Sequence, residues 1–313
     1  MTAWKILLTD GLEENGQEIL RKAGEVDDKP GISADDLLKI IDQYDALIVR
    51  GRTKVTPAVF AAAKKLKVVG RSGVGVDNID LAAAKEHSVT VVNAPIATSM
   101  AVAELTMLLL LSVAREVPRA DANMKQNKWI KKELEGVELN EKTLGLIGFG
   151  RIGSFVAARA AAFGMKILAY DLNLKADEIK QRGGVPASFD ELISHSDFIT
   201  LHVPLTDATR GLINAAAIAK MKDGVRIVCT ARGGVIDEAA LVAGLNSGKI
   251  ASAALDVFST EPPGECEIVI HPKVICTPHI GGQTVEAQAR AAFDIGTEVI
   301  ACLNGQPLRW KVA

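Results

Sequence analysis

The stretch TLGLIGFGRIGSFVAARAAAFGMKILAYD, residues 143–171, constrains the fold of this chain more than any other. Its apolar run 144–147 predicts a strand, and Gly148, Gly150 and Gly153 form a G-x-G-x-x-G turn. The alanine-rich run 154–163 predicts a helix closed by Gly164, and 166–170 a second strand ending on Asp171. The first glycine permits the sharp turn, the second lets a pyrophosphate approach the backbone, and the third lets helix and strand pack closely. The helix N-terminus then offers unpaired N–H groups and partial positive charge to a diphosphate. Asp171 follows the last glycine by roughly 20 residues, where a carboxylate accepts hydrogen bonds from both hydroxyls of an adenosine ribose and repels a 2′-phosphate. The expected cofactor is therefore NAD rather than NADP.

At 313 residues, with 48% hydrophobic and 24% charged side chains, the composition is that of an ordinary globular chain long enough for two domains. A formal net charge of −2 recruits neither nucleic acid nor an acidic membrane surface, so any cationic attraction is local to a site. Cys229, Cys266, Cys276 and Cys302 show no metal-ligand rhythm, and reduced thiols in a cytoplasmic protein are expected, with no metal. The N-terminus predicts a strand rather than a signal peptide. The most apolar segment, 105–114, is about half the ~20 residues of a membrane span. Bounded by Glu104 and Arg115, it predicts a helix buried in the chain or at a subunit interface.

Along the chain, strands are expected at 6–9, 46–49, 68–69 and 89–92. The helices between them are expected at 13–22 (stopped at Gly24), from Ser33 with Asp36 as a capping box, from Thr56-Pro57, and at 81–87. A long helix, 99–116, leads out of this first α/β unit. After Asp171 come a capping box at Ser188 and Glu191, strands at 198–201, 225–229, 251–256 and 274–277, and helices at 214–220, 238–245 and 285–303. Such alternation indicates parallel sheets covered on both faces. His202, Arg232, Asp256 and His279 all stand at or just beyond carboxyl ends of predicted strands, the edge where open α/β sheets bind ligands.

The motifs GRSGVGVDNIDL, LGLIGFGRIG, TARGGVIDE, ALDVFSTEPP and TPHIGG, in this order across essentially the whole chain, resemble the D-isomer-specific 2-hydroxyacid dehydrogenases. That resemblance implies an α/β fold of two Rossmann-like, doubly wound parallel-sheet domains. An NAD-binding domain, 98–283, would be inserted into a discontinuous substrate-binding domain, 1–97 with 284–313. It implies His279 as general acid–base, Glu261 as the carboxylate behind it and Arg232 as the substrate-anchoring guanidinium. The chemistry agrees: removing a hydride from a secondary alcohol requires its hydroxyl proton to leave too, and imidazole is matched to that near neutral pH. A carboxylate fixes the ring, and a planar guanidinium holds the acid's carboxylate. His87, His195 and His271 are expected to be structural or on the surface.

The same resemblance assigns Gly148, Gly150, Arg151, Ile152, Gly153, Asp171, His202, Pro204, Thr209, Thr230 and Asp256 to the cofactor, the alternative for Asp256 being merely to cap a strand end. Ser72, Gly73, Val74 and Gly75 resemble the loop whose N–H groups meet the substrate carboxylate, the alternative being an ordinary glycine turn. Arg50, Arg71 and Lys131 stand where the branch of the family acting on 3-phospho-D-glycerate gathers charge near the phosphate. Each would otherwise be a solvated surface charge. Thr98, near the expected substrate pocket, and Cys229 depart from the family's usual asparagine. The expectation is oxidation of 3-phospho-D-glycerate to 3-phosphohydroxypyruvate, the entry to phosphorylated serine biosynthesis, by a homodimer or homotetramer. The alternatives are a glyoxylate or hydroxypyruvate reductase and, in another class, an NAD-sensing binding protein. With the sequence ending at Ala313, serine inhibition through an appended domain is not expected.

Overall fold

The computed structural model describes residues 4–313. The chain forms two compact units, one built from the residues up to Ser99 together with Gly282–Ala313, the other from Met100–Gly281.

The first unit has a five-stranded parallel sheet of β1 (Trp4–Leu8), β2 (Gly24–Asp28), β3 (Ala46–Val49), β4 (Val68–Arg71) and β5 (Thr90–Asn93), in the order β2-β1-β3-β4-β5. Alternate residues face opposite sides of a strand. Leu7, Leu47, Val49, Val69 and Val91 therefore enter one core, and Ile6, Leu8, Ile48, Val68 and Val92 enter the other. The second core is completed by Ala292, Ile295 and Val299 of the helix Val285–Leu303, which returns late in sequence to cover this sheet. Strand β2 was not expected. Gly24 begins it instead of only stopping the preceding helix, and its acidic sequence GEVDD hides an edge strand whose side chains stay largely solvated. Of the capping box at Ser33 and Asp36, only half forms. Ser33 accepts the Asp36 N–H, while the Asp36 carboxylate takes the Ser33 hydroxyl and Lys39. Thr56 makes no side-chain cap, although Pro57 does open the helix.

The second unit has a seven-stranded parallel sheet of β6 (Thr143–Ile147), β7 (Lys166–Tyr170), β8 (Val185–Pro186), β9 (Phe198–Leu201), β10 (Val225–Cys229), β11 (Ile250–Leu255) and β12 (Val274–Cys276). Their order is β12-β11-β10-β9-β6-β7-β8. Strand β6 lies between β7 and β9, so the chain reverses its direction of winding there. In open α/β sheets that reversal opens a crevice at the carboxyl ends. The helix Ser99–Arg115 puts Ala103, Met107, Leu110, Val113 and Ala114 into this unit's core, against Leu144, Leu146 and Val228. No helix among the described residues is long and apolar enough to cross a membrane.

Candidate active site

The glycine turn lies at the winding reversal. Gly148 has φ +92°, and a Cβ there would come within 2.7 Å of the His202 backbone, which follows β9. The two strand ends are locked by the His202 N–H donating to the Ile147 carbonyl at 2.7 Å. Gly150 looks onto open space, whereas a side chain on Gly153 would strike the Gly148 carbonyl. The helix Arg151–Ala162 begins here, ahead of the 154–163 run expected from the alanines, with Gly150 as a cap that has no side chain to cover its first N–H groups. Arg151 and Ile152 are its opening residues. An open backbone at a helix N-terminus fits a diphosphate.

Asp171 follows β7 and accepts three N–H groups, from Phe149 at 2.7 Å and from Asn173 and Leu174 at 2.8 and 3.2 Å. A carboxylate offers about four acceptor sites. Three internal donors leave acceptor capacity on Asp171 for a ribose hydroxyl. His202 is half-buried, and burial pushes its pKa down to about 3, so the ring is neutral. One ring nitrogen lies 3.2 Å from the Thr200 hydroxyl, and Nδ1 is buried with no partner in the protein. An orphaned polar atom beside the glycine turn is a second feature that fits a cofactor.

The reactive group of side chains stands on the same sheet edge, beyond β10 and β12. His279 Nδ1 lies 2.7 Å from Glu261 Oε2, and the Phe258 N–H donates to Glu261 Oε1 at 3.1 Å. Burial pushes the Glu261 carboxyl up. The His279 hydrogen bond and charge, the Phe258 N–H and the Arg232 charge outweigh it and leave the carboxyl below its ordinary value. An ionised carboxylate only accepts, so the shared hydrogen belongs to His279 Nδ1 and Nε2 is the nitrogen left to react. Arg232 is brought near this pair by Gly233, whose Cβ would sit 1.7 Å from the Phe258 carbonyl; only glycine allows that approach. One Arg232 Nη donates to the Ala231 carbonyl at 2.7 Å. An imidazole–carboxylate pair beside a guanidinium can move a proton and hold an anion.

Other expected cofactor contacts have internal duties. Asp256 is 1% exposed and accepts Thr277 Oγ1 and the Ile280 and Gly281 N–H groups. Thr230 gives its hydroxyl hydrogen to Thr106, since Thr106 gives its own to the Val102 carbonyl. Thr209 is buried and donates to the Pro204 carbonyl, accepting the Thr206 N–H in return. It shapes the turn after β9 and does not offer a free hydroxyl. Cys229 is packed in the core, its thiol pushed up to about 11 chiefly by burial, in keeping with a packing role. His87 stacks on Phe60, while His195 and His271 bond locally to the Glu191 carbonyl and the Asn246 side chain. Among the described residues no cluster could hold a metal.

In the first unit, Arg50 and Arg71 both stand at carboxyl ends of the sheet, after β3 and closing β4. The Arg50 guanidinium is engaged by Glu13 at 3.4 Å and by Gln288 Oε1. Asp10, which sequence reasoning missed, accepts the Arg50 and Thr53 N–H groups and the Thr53 hydroxyl, and so ties the β1 end to the β3 end. Its signal was an acid directly after a predicted strand. Arg71 donates to the Ser72 carbonyl, and its guanidinium fills the space a Gly73 side chain would need. In the 72–75 loop the Gly73 and Val74 carbonyls are taken by the Ala94 N–H and the Asn93 side chain. The Ser72 hydroxyl is buried without a partner, and Gly75 completes the turn. Thr98 is buried against Gly282. Lys131 belongs to the other unit, exposed in a short 3-10 turn.

Residues 107–281 match the model of the D-isomer specific 2-hydroxyacid dehydrogenase NAD binding domain. A D-3-phosphoglycerate dehydrogenase from Methanocaldococcus jannaschii is 49% identical over 96% of this chain and 58% of its own. The chain spans roughly half the length of the curated phosphoglycerate dehydrogenases it matches, 49% for one from Arabidopsis thaliana. A hydroxypyruvate reductase from Thermotoga maritima is 46% identical over 94% of this chain and 97% of its own. Among solved structures, a glyoxylate reductase from Paecilomyes thermophila superposes with a TM-score of 0.91 at 33% identity, covering 100% of this chain and 99% of that one. The glycine turn, the fold and these matches agree: the chain belongs to the NAD-binding D-isomer-specific 2-hydroxyacid dehydrogenase family.

Proposed function

We propose that this chain oxidises 3-phospho-D-glycerate to 3-phosphohydroxypyruvate. The observation that carries the hydride-transfer reading is the 2.7 Å His279–Glu261 pair with Arg232 charging the same site. NAD, when bound, supplies the hydride acceptor. His279 Nε2 takes the hydroxyl proton as the carbinol carbon is oxidised, and Glu261 stabilises the resulting imidazolium and holds the ring. Arg232 and the 72–75 loop hold the substrate carboxylate. Arg50 and Arg71, with Lys131 as an outlying third cation, hold the phosphate. The phosphoglycerate dehydrogenase relatives support this substrate.

A second reading, reduction of hydroxypyruvate or glyoxylate, is favoured by one observation: the Arg50 guanidinium is already engaged by Glu13 and Gln288 within its own unit. Steady-state rates on 3-phosphohydroxypyruvate, hydroxypyruvate and glyoxylate, each with NADH and NADPH, separate the readings. The phosphorylated acid with NADH is expected to have the highest kcat/KM. Equal values for the two cofactors would remove the role given to Asp171, and a higher value for hydroxypyruvate would reverse the substrate order.

The helix Ser99–Arg115 leaves Met100 and Leu108 exposed, and the adjoining helix Arg151–Ala162 leaves Phe155 exposed, with Phe163 at its end. Arg159 joins the two helices through Met100 and Glu104. We infer that a second copy covers this apolar face. Light scattering at micromolar concentration should give at least twice the 33.2 kDa chain mass; a monomer alone would exclude the dimer.

A further inference from the structure

His279 is held in an unusual backbone state. Its φ of +52° lies in the left-handed region, which a non-glycine residue occupies only where its surroundings over-determine it. Such strain must be held by neighbouring contacts. The imidazole contact with Glu261 fixes the far end of the side chain, not the loop.

The loop is fixed from beneath. Asp256 follows β11 directly, and its own N–H donates to the Cys229 carbonyl at 2.9 Å, so its backbone is part of the sheet edge. Its carboxylate accepts three hydrogens, and all three come from residues flanking His279. Thr277 Oγ1 lies 2.6 Å and the Ile280 N 2.8 Å from Oδ1, and the Gly281 N lies 2.8 Å from Oδ2. One donor precedes the histidine and two follow it, so the strained residue is bracketed by a rigid acceptor. Gly281 adds a steric limit, because a Cβ there would sit 3.1 Å from Asp256 Oδ2 and 3.3 Å from Val102. A side chain 1% exposed with three internal donors is built into the loop.

We propose that Asp256 is the positioning residue for His279: by taking donors on both sides, its carboxylate fixes the loop in the conformation that delivers the imidazole to Glu261. Thr277 is its first partner. This inference rests on His279 being the acid–base, and it differs from a role in which Asp256 only meets the cofactor. In that case its loss would appear in cofactor binding and not in the histidine.

The test is Asp256→Asn, which keeps the shape but replaces one acceptor oxygen with a donor that must confront Thr277 and Ile280 or Gly281. Thr277→Val, which removes only the hydroxyl, is its milder companion. In the wild-type protein the His279 Nδ1 proton, bonded to a carboxylate, should give a downfield, slowly exchanging NMR resonance, assigned by its loss in His279→Ala. Asp256→Asn should lower kcat on the order of 10- to 100-fold, the loss expected for a hydrogen bond to a charged group. It should broaden or abolish that resonance while the dissociation constant for NADH changes less than about 3-fold. Thr277→Val should move both readouts the same way by a smaller factor. An Asp256→Asn protein with wild-type kcat and an intact resonance overturns the inference, as does one whose only defect is NADH affinity. If Asp256→Asn does not fold, Thr277→Val decides by the same two readouts. If His279→Ala itself retains wild-type activity, the acid–base reading has failed instead, so the two failures are distinguishable.

Discussion

Replacing His279 with alanine is expected to lower kcat by roughly 10²–10⁴-fold, the usual worth of general acid–base catalysis, while NADH binding stays nearly unchanged. Arg232, the charged neighbour of Glu261, is a cation and cannot take the proton in its place. Glu261→Gln should cost less, because the amide oxygen still accepts from Nδ1 but carries no charge to balance an imidazolium. The pH dependence follows from the Glu261 shift. A carboxyl held below its ordinary value is fully ionised above that value and loses its contribution only as pH falls through the lowered one. Wild-type activity should therefore keep the His279–Glu261 pair down into the acid range and lose it below the ordinary carboxylate value. Glu261→Gln has no such proton to gain and lacks that limb. A His279→Ala enzyme with a wild-type rate would end the assignment.

How far sequence reaches is visible in where expectation and structure part. Strands β3, β7, β9 and β10 fall where the apolar runs lie, because a parallel strand covered on both faces is apolar along most of its length. An edge strand is legible only where it is apolar, as β5 and β12 are; the acidic β2 was missed and β8, only Val185–Pro186, left no pattern at all. The helix Ala176–Gln181 is equally unmarked, with Ile179 its one buried residue. The chemically distinctive residues at strand ends could be read singly, since their types and spacing carry the reaction. Their partners could not. Gln288 meets Arg50 from a helix more than 200 residues away, and Gly233 matters only because the Phe258 carbonyl stands where its side chain would be. Asp256 could be read as a strand-end acid, but its three donors follow from how the loop after β12 folds back.

The proposed substrate turns on two arginines. A 2-hydroxy acid needs one guanidinium for its carboxylate, the role proposed for Arg232. A 3-phosphate adds almost two further negative charges, and those are not desolvated without cationic partners. Arg71 presents its guanidinium across the 72–75 loop, and Arg50 stands one strand away at the winding reversal between β1 and β3. If these two hold the phosphate, Arg71→Ala should raise KM for 3-phosphohydroxypyruvate by ~10-fold or more, given ~1.5–3 kcal/mol for a hydrogen bond to a charged group. Arg50→Ala should do the same. An incoming phosphate gains only what exceeds the contacts Arg50 already makes with Glu13 and Gln288. Lys131→Ala, from an exposed turn, should have the least effect. None of the three changes should much alter turnover of glyoxylate, which has no phosphate to hold. Equal losses on both substrates would mean a structural defect. An unchanged KM for the phosphorylated acid in both arginine variants would move its binding elsewhere, and reduction of a simple 2-oxo acid would then be the better account of a site whose Arg50 is neutralised by its own Glu13.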